Sequence, residues 1–357
     1  MSPPRPPAWR LWSRTCSGIL SRSRGRSAIK YSIFSVLDHY PAKPRTIAQL
    51  YAEVVGQAVL ADTLGYDTFF IAEHHFHEYG AVPNPPVMLA AIAAQTKAIR
   101  VGTAIAALNY RNPIEVAESY AMLDVLSGGR LFLGVGSGYL AHEFQGFGMD
   151  PATKRESFDR NFAEVRRLLA GEPGANGMRI QVRPLQNPVP LAVGILRAEA
   201  AYYVGRQGFD MLSVPYASCE KFDDIATLVA EHHRGLKEAG RGDVDEANVI
   251  VLHAHVAETD TQARAEAATA FDDYVASRLY ARSATYDDAM RNGLSLMGGI
   301  ETVADKLVAL ADMGVGHVGI LPNFGALPDH LVRRSLVLFA EEAIPQAARK
   351  LAARRAA

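Results

Sequence analysis

The feature that most constrains the fold of this chain is a regular alternation of short apolar segments with helical patterns from Lys30 onward. In residues 47–64, apolar side chains recur at helical spacing, and Gly65 follows in the position that a helix C-cap prefers. Eight apolar segments are typical of strands, at residues 31–37, 68–72, 99–105, 131–135, 191–194, 209–214, 249–256 and 317–321. Strict alternation of strand and helix predicts a parallel sheet.

Eight such units predict an α/β fold, a (β/α)8 TIM barrel with insertions after strands 4 and 7. Residues 171–190 are rich in Gly and Pro and belong to the first insertion, and the alternation in residues 178–182 predicts a short strand there. An open doubly wound sheet would need a glycine fingerprint after the first strand, which is absent. In such barrels the chemistry lies at the carboxyl ends of the strands.

Composition excludes several classes of function. The net charge of −1 creates no strong field that would attract nucleic acid. The chain contains no run of about 18 apolar residues, which a membrane span would need. Two cysteines, Cys16 and Cys219, cannot build a disulfide framework, so we expect a cytoplasmic protein. Residues 1–29 are basic and contain no acid, which predicts a disordered extension before a single domain at residues 30–357.

The segment IAEHHFHEYG, residues 71–80, places three histidines and two glutamates directly after the second predicted strand. His74 is a candidate for proton transfer or for cofactor contact, because histidine exchanges protons near neutral pH. A metal site is the second interpretation, since two His-x-His pairs at strand ends could supply four nitrogens: His75, His77, His253 and His255. A structural cluster at a strand end is the third.

Three further strand ends contain glycine or small residues. The segment GVGSGY, residues 134–139, would let backbone approach a ligand closely, or it forms a tight turn at the barrel rim. Residues 194–197, GILR, precede a helix and offer Arg197 to an anion, although a surface arginine is the alternative. Small side chains in residues 101–107 would leave room for a flat ring, or they belong to the barrel core.

Taken together these segments resemble the bacterial luciferase-like family of flavin monooxygenases. The segments that carry the resemblance are AEHHF (72–76), EYG (78–80), NP (84–85), VGTA (101–104), AE (117–118) with Asp124, SGGR (127–130), GVGSGY (134–139), EF (143–144), GGIETV (298–303) and FGALP (324–328).

The resemblance implies a barrel that takes reduced FMN from a flavin reductase and uses O2 to oxidise a small organic substrate. His74 matches the family's catalytic histidine and would handle the proton of the oxygenated flavin, while Glu73 and His75 would orient it. The bond between Ala104 and Ile105 matches a non-prolyl cis peptide against which the flavin ring packs. Flavin contacts are expected from Ala104, Ile105, Gly136, Ser137, Gly138, Tyr139, Gly194, Leu196 and Arg197.

The sequence departs from the family pattern at the expected phosphate site. A Ser/Thr-rich phosphate grip is replaced by residues 196–200, LRAEA, and Ser137 stands where the relative with the best-matched histidine motif has arginine. Arg197 is expected to supply the positive charge instead. The alternatives are an F420-dependent oxidoreductase, a metal-dependent hydrolase and a non-catalytic flavin-binding protein.

The resemblance also implies a homodimer formed through the second and third helices, and no light emission is expected. The pocket walls are expected from Phe34, Leu37, His39, Phe144 and Phe324.

Overall fold

The computed structural model describes residues 29–242, 245–278 and 284–356. The predicted extension falls almost entirely outside these residues, so the division into an extension and one domain stays a prediction. The described strands are β1 (Lys30–Ser35), β2 (Thr68–Ile71), β3 (Arg100–Ala107), β4 (Leu131–Gly136), β5 (Leu191–Ile195), β6 (Asp210–Ser213), β7 (Asn248–Ala257), β8 (Ser295–Gly299) and β9 (His317–Leu321).

Eight of these strands close a parallel barrel. Neighbouring strands pair in chain order from β1 to β7, β7 pairs with β9, and β9 pairs back with β1. All eight strands predicted from the sequence are barrel strands, so the (β/α)8 prediction is confirmed. β8 was not predicted, and it extends the sheet by pairing with the carboxyl half of β7, His253–Ala257.

Helices surround the barrel and connect its strands. They are α1 (Ile47–Leu64), α2 (Pro85–Gln95), α3 (Pro113–Leu126), α4 (Ala141–Gly146), α5 (Lys154–Leu169), α6 (Ala200–Arg206), α7 (Pro215–Ser218), α8 (Asp224–Glu238), α9 (Asp260–Ala276), α10 (Tyr286–Asn292), α11 (Ile300–Asp312), α12 (Asp329–Leu338) and α13 (Ile344–Ala356). A π-helical turn, Phe339–Ala343, joins the last two. None of the helices in the described ranges has the length and apolar character needed to cross a membrane.

Local sequence explains where helices begin and end. Thr46 and Gln49 form a capping box at the start of α1, and Gly65 ends that helix with a φ of 81°. The Asn112 side chain accepts from the amide of Ile114, and Pro113 occupies the first turn of α3, where its missing N–H costs nothing.

The insertions lie where the sequence places them, after β4 and after β7. The first contains α4 and α5 and the segment 171–190, and the second contains α9, α10 and β8. The prediction of a short strand at residues 178–182 is wrong, because no strand forms there. Only Ile180 is buried in this segment, whereas Met178 is 68% exposed, so the alternation faces solvent without a sheet partner.

Two large apolar clusters make up most of the core. One lies between strands and helices and includes Ile33, Phe69 and Ile71. The other fills the barrel interior, where the Phe70 and Phe132 rings meet edge to face with centroids 5.3 Å apart. Alternate residues of one strand thus serve different clusters. The interior cluster continues past the carboxyl ends of the strands, where it forms the floor of a cavity.

Candidate active site

A cavity of about 680 Å³ opens at the carboxyl ends of the barrel strands. Its size lies in the range of sites for cofactors and small ligands. The sequence-predicted residues that line it are Glu73, His74, Ala104, Ile105, Gly136, Ser137, Gly138, Tyr139, Gly194, Leu196 and Arg197. The structure therefore brings His74 and the predicted cofactor residues together in the cavity lining, whereas His75 is buried outside that lining.

The side chain of Glu143 organises the histidine segment that follows β2. Its carboxylate lies 3.1 Å from Nδ1 of His74, and it accepts from the backbone amide of His75 at 3.0 Å and from the Tyr110 hydroxyl at 3.1 Å. Glu143 is 2% exposed and lies in α4, 69 residues after His74. A buried carboxylate with three donors is fully satisfied and holds its partners in place.

The ionised state of Glu143 fixes which nitrogen of His74 is protonated. Burial alone would raise the pKa of Glu143, but the hydrogen bond and charge of His74, with the His75 amide and the Tyr110 hydroxyl, lower it below the ordinary value. An ionised carboxylate only accepts, so Nδ1 of His74 carries the hydrogen that faces it. Nε2 is then the nitrogen of His74 that can exchange a proton with a ligand.

Glu73 has a different partner from the one expected. Its carboxylate lies 3.1 Å from Nε2 of His75, and it accepts from Nε of Arg111 at 3.3 Å and from the amide of Ala107 at 3.1 Å. Glu73 therefore holds His75 and the end of β3, and it does not bond to His74. The expectation that Glu73 and His75 orient His74 needs this correction: the orienting group is Glu143, and His75 meets Glu143 through its backbone.

The four histidines proposed for a metal have separate partners. His77 accepts from the amide of Tyr79, and His255 bonds to Glu266 at 2.8 Å. His253 is enclosed by aromatic rings, with the Phe271 centroid 5.1 Å away. Burial lowers the pKa of His253 well below its ordinary value, with a smaller contribution from the charge of Arg278. In the described ranges, no three His, Cys, Asp or Glu side chains form a group suited to a metal.

The wall formed by β3, β4 and β5 is shaped by a cis peptide and by glycines. The bond between Ala104 and Ile105 is cis, as the resemblance implies. A Cβ added at Gly194 would lie 2.5 Å from Cγ2 of Ile105, and one at Gly136 would lie 2.9 Å from its Cδ1. These glycines are therefore needed for Ile105 to sit against the strands and leave the cavity open.

Several cations belong to the lining of this cavity. Arg197, between β5 and α6, is joined there by Lys154 and Arg155 from the start of α5, which the sequence did not single out. The Ser137 hydroxyl donates to the carbonyl of Gly138 at 3.1 Å. These positive charges can balance an anionic group of a ligand.

Only one of the five expected wall residues lines the cavity, namely Phe34. Leu37 is buried in the outer cluster, and His39 bonds to the carbonyl of Arg45. Phe144 packs beneath the site against Tyr110, and Phe324 packs against Phe271. Strand-end position alone does not predict which side of a loop a side chain occupies.

Comparison with known proteins agrees with this geometry. The model of the luciferase-like monooxygenase family matches residues 30–317, which is most of the barrel. The chain belongs to the luciferase-like monooxygenase family. The histidine segment, the cis peptide and the glycine-lined wall all lie within the matched region.

Relatives within the luciferase-like family include enzymes of two kinds. The chain is 28% identical over 312 residues to 4-hydroxyprotoasukamycin monooxygenase of Streptomyces nodosus subsp. asukaensis, covering 80% of this chain and 84% of that one. It is also 28% identical over 215 residues to an F420-dependent glucose-6-phosphate dehydrogenase of Amycolatopsis mediterranei, covering 56% and 64%. The crystal structure of monooxygenase RslO1 from Streptomyces bottropensis superposes with a TM-score of 0.82 at 27% identity, covering 89% and 99%.

Matches to seven curated relatives, the F420-dependent enzyme among them, are shorter and cover 28% to 64% of their lengths. Membership in the luciferase-like family thus explains the barrel fold, and it makes the chain an oxidoreductase that uses a flavin or F420. The cofactor of this chain and its substrate are matters for proposal.

Sequence reasoning missed several side chains of this luciferase-like site. Glu143 carries part of the family resemblance, but nothing local shows that it contacts His74. Tyr79, Tyr274 and Arg278 also line the cavity. Arg278 comes after the helix that follows β7, so only the way the second insertion folds over the barrel brings it to the cavity.

Proposed function

We propose that this chain is the oxygenase of a two-component system, which takes reduced FMN from a separate reductase and uses O2 to oxygenate a small organic substrate. The observation that carries the proposal is His74, held by Glu143 with Nε2 free to exchange a proton, in the wall of a cavity bounded by the cis peptide and glycines. No larger set of catalytic side chains is needed, because the flavin supplies the redox chemistry when bound.

The residues present fit a flavin. Gly136 and Gly194 keep a flat surface at Ile105, where any Cβ would collide, and a planar ring system needs such a surface. Lys154, Arg155 and Arg197 lie where they can balance a phosphate. This group of cations stands in for the Ser/Thr-rich grip that the sequence lacks.

The roles of the protein groups follow from their contacts. Nε2 of His74 gives or takes a proton at the reacting end of the cavity, while Glu143 stabilises the imidazole with its charge. The Tyr110 hydroxyl donates a hydrogen bond to Glu143. Burial, with a smaller contribution from the charge of Glu143, raises the pKa of Tyr110 well above its ordinary value, so the hydroxyl keeps its proton. Apolar side chains such as Phe34, Leu212 and Leu321 exclude water from the rest of the cavity.

The proposal is tested by anaerobic titration with FMNH2 followed by rapid mixing with oxygenated buffer. We expect bound flavin to return to its oxidised spectrum more slowly than free FMNH2, because His74 and the apolar cavity walls control proton loss. Return at the rate of free FMNH2, with binding established in the titration, would contradict oxygenase function.

An F420-dependent oxidoreductase is the second candidate, favoured by the relative of that kind and by the missing phosphate grip. Binding of reduced F420 with oxidation that requires an added substrate and no O2 would support it. The matched control is the same titration with FMNH2.

A homodimer in the cytoplasm is part of the proposal. Val87 on α2 and Met122, Val125 and Leu126 on α3 are exposed apolar residues, which we name together the α2–α3 patch. Such a group of exposed apolar side chains on neighbouring helices is typical of a protein contact. The α2–α3 patch lies on the two helices through which the family resemblance implies dimerisation.

A further inference from the structure

A second cationic position lies in the cavity wall and comes from a different part of the chain from Arg197 and from α5, which begins at Lys154. Arg278 is 9% exposed and lines the cavity just after α9. Three tyrosine rings surround its guanidinium carbon, with centroids 4.7 Å away at Tyr216, 5.4 Å at Tyr274 and 5.7 Å at Tyr79. All three distances are within the range of cation–π attraction.

The tyrosines come from three different parts of the barrel and hold Arg278 over its mouth. Tyr79 follows β2, Tyr216 belongs to α7 after β6, and Tyr274 lies in the last turn of α9. The hydroxyls of Tyr79 and Tyr274 are 3.2 Å apart. A long, flexible side chain is thereby held in one place, which reduces the entropy lost when it binds a ligand.

The surroundings of Arg278 indicate what kind of ligand it would meet. The guanidinium has five N–H donors in a planar fork, so it can serve protein groups and a ligand at once. This fork matches the two oxygens of a carboxylate, and removal from water strengthens the attraction. The cavity lining also contains apolar residues, among them Phe34, Val214 and Leu321.

We propose that Arg278 binds a carboxylate of the substrate, so that the enzyme selects small organic acids whose apolar body lies along the cavity wall. The inference rests on the proposed function in one respect: the flavin phosphate is assigned to Lys154, Arg155 and Arg197, which leaves Arg278 for the substrate. His253, which packs against Tyr216 and Tyr274, is a neutral neighbour and adds no second charge.

The test compares two ligands of nearly equal shape, para-trifluoromethylbenzoate and para-trifluoromethylbenzamide, by fluorine NMR titration of the full chain with saturating oxidised FMN. We expect the benzoate to bind at least roughly tenfold more tightly than the benzamide. In Arg278→Gln the preference should disappear through weaker binding of the benzoate. Equal binding of both ligands to the wild type, or an unchanged preference in Arg278→Gln, would overturn the proposal.

Two further variants keep the result interpretable. Arg234→Gln removes an exposed arginine whose guanidinium carbon lies 3.8 Å from the Tyr202 ring centroid, outside the cavity lining, and it should retain the full preference. Arg278→Lys keeps the charge without the fork and should retain only part of the preference. A full preference in Arg278→Lys would contradict binding of the carboxylate through the guanidinium fork. This outcome decides the question even if Arg278→Gln does not fold.

Measurements of flavin binding distinguish a failure of this inference from a failure of the proposed function. The affinity for FMNH2, measured anaerobically, should be the same within about threefold in the wild type and in Arg278→Gln. A larger loss in the variant would assign Arg278 to the flavin and overturn the inference. If the wild type binds no flavin, the proposed function fails, while the benzoate titration without FMN still decides the inference.

Discussion

At the scale of single residues, the site depends on how His74 is held. It is 7% exposed, bonded through Nδ1 to Glu143, and in edge contact with Tyr79 at a centroid distance of 4.7 Å. Gly80 allows this packing, because a Cβ there would lie 2.6 Å from Cβ of His74. The imidazole therefore has one orientation, which proton transfer at a fixed position requires.

His74→Ala should abolish substrate turnover while leaving FMNH2 affinity within about tenfold, which corresponds to about 1.4 kcal/mol. The reason is that His74 would handle a proton in the proposed function and supplies only a small part of the cavity wall. Turnover is measured with the reductase and O2, and affinity by anaerobic titration. Unchanged turnover would remove His74 from the mechanism.

Glu143→Gln is the companion variant, since glutamine keeps the shape and loses the charge. We expect turnover to fall and its pH profile to change, because the imidazole loses the carboxylate that stabilises it. Thermal unfolding checks that the fold survives. A pH profile identical to that of the wild type would mean that Glu143 has only a structural role.

At the scale of secondary-structure elements, β3, β4 and β5 form the flat wall because glycines face Ile105 and Thr103. A Cβ at Gly134 would lie 2.1 Å from the carbonyl oxygen of Thr103, which is backbone and cannot move aside. A Cβ at Gly194 would instead meet the side chain of Ile105, which can shift into the cavity.

These two positions give a matched pair of variants. Gly194→Ala should reduce FMN affinity by roughly tenfold with little loss of stability, because Ile105 moves toward the ligand. Gly134→Ala should cost about 1–3 kcal/mol of stability, because β3 and β4 must separate. Flavin titration and chemical denaturation measure the two effects. Equal FMN affinity in Gly194→Ala and the wild type would contradict the assignment of this wall to the flavin.

A partly buried network joins β7, α9 and α12 through Glu266. Its carboxylate bonds to His255 at 2.8 Å, to Gln262 at 3.0 Å, and to Arg334. Burial raises the pKa of Glu266, but the hydrogen bonds from Arg334, His255 and Gln262 outweigh it and lower the pKa to about 2. The folded value is below the ordinary 4.5, so the ionised form stabilises the fold.

Glu266→Gln should lower the free energy of unfolding by about 1–3 kcal/mol at pH 7. The stabilisation is fully present above the ordinary pKa of 4.5 and is lost as the pH falls through about 2. The difference in thermal midpoint between wild type and variant should therefore shrink over this interval. A difference that stays constant with pH would contradict the linkage. Glu301→Gln, at an 80% exposed side chain, is the control and should change little.

At the scale of the whole molecule, we propose the α2–α3 patch as the surface that contacts a second copy of the chain. Met122 and Leu126 are 51% and 64% exposed and lie one helical turn apart on α3. Residues this apolar rarely group on the surface of a monomer. The patch lies on helices outside the barrel, so dimerisation would leave the cavity accessible.

The double variant Met122→Glu with Leu126→Glu should weaken dimerisation by at least about tenfold, because two charges would be buried in the contact. Sedimentation equilibrium measures the dissociation constant. Met178→Glu, at an equally exposed residue in segment 171–190, is the matched control and should not change it. A dimer unaffected by the double variant would place the interface elsewhere.

The sequence by itself determined the eight barrel strands, their order and the segment that carries His74. Strand and helix periodicity is a local property, and each barrel strand packs on both faces in a similar way, so neighbouring residues contain enough information. The family resemblance also identified the cis bond between Ala104 and Ile105, because the motif around it is short and continuous.

Only the tertiary structure decided which groups meet across the barrel mouth. His74 and Glu143 are 69 residues apart, and Arg278 meets Tyr79 across almost 200 residues of sequence. The same holds for β8, whose five residues pair only because the second insertion places them beside β7. Such contacts depend on the path of loops and insertions, which no local periodicity encodes, whereas the strands beneath them are encoded residue by residue.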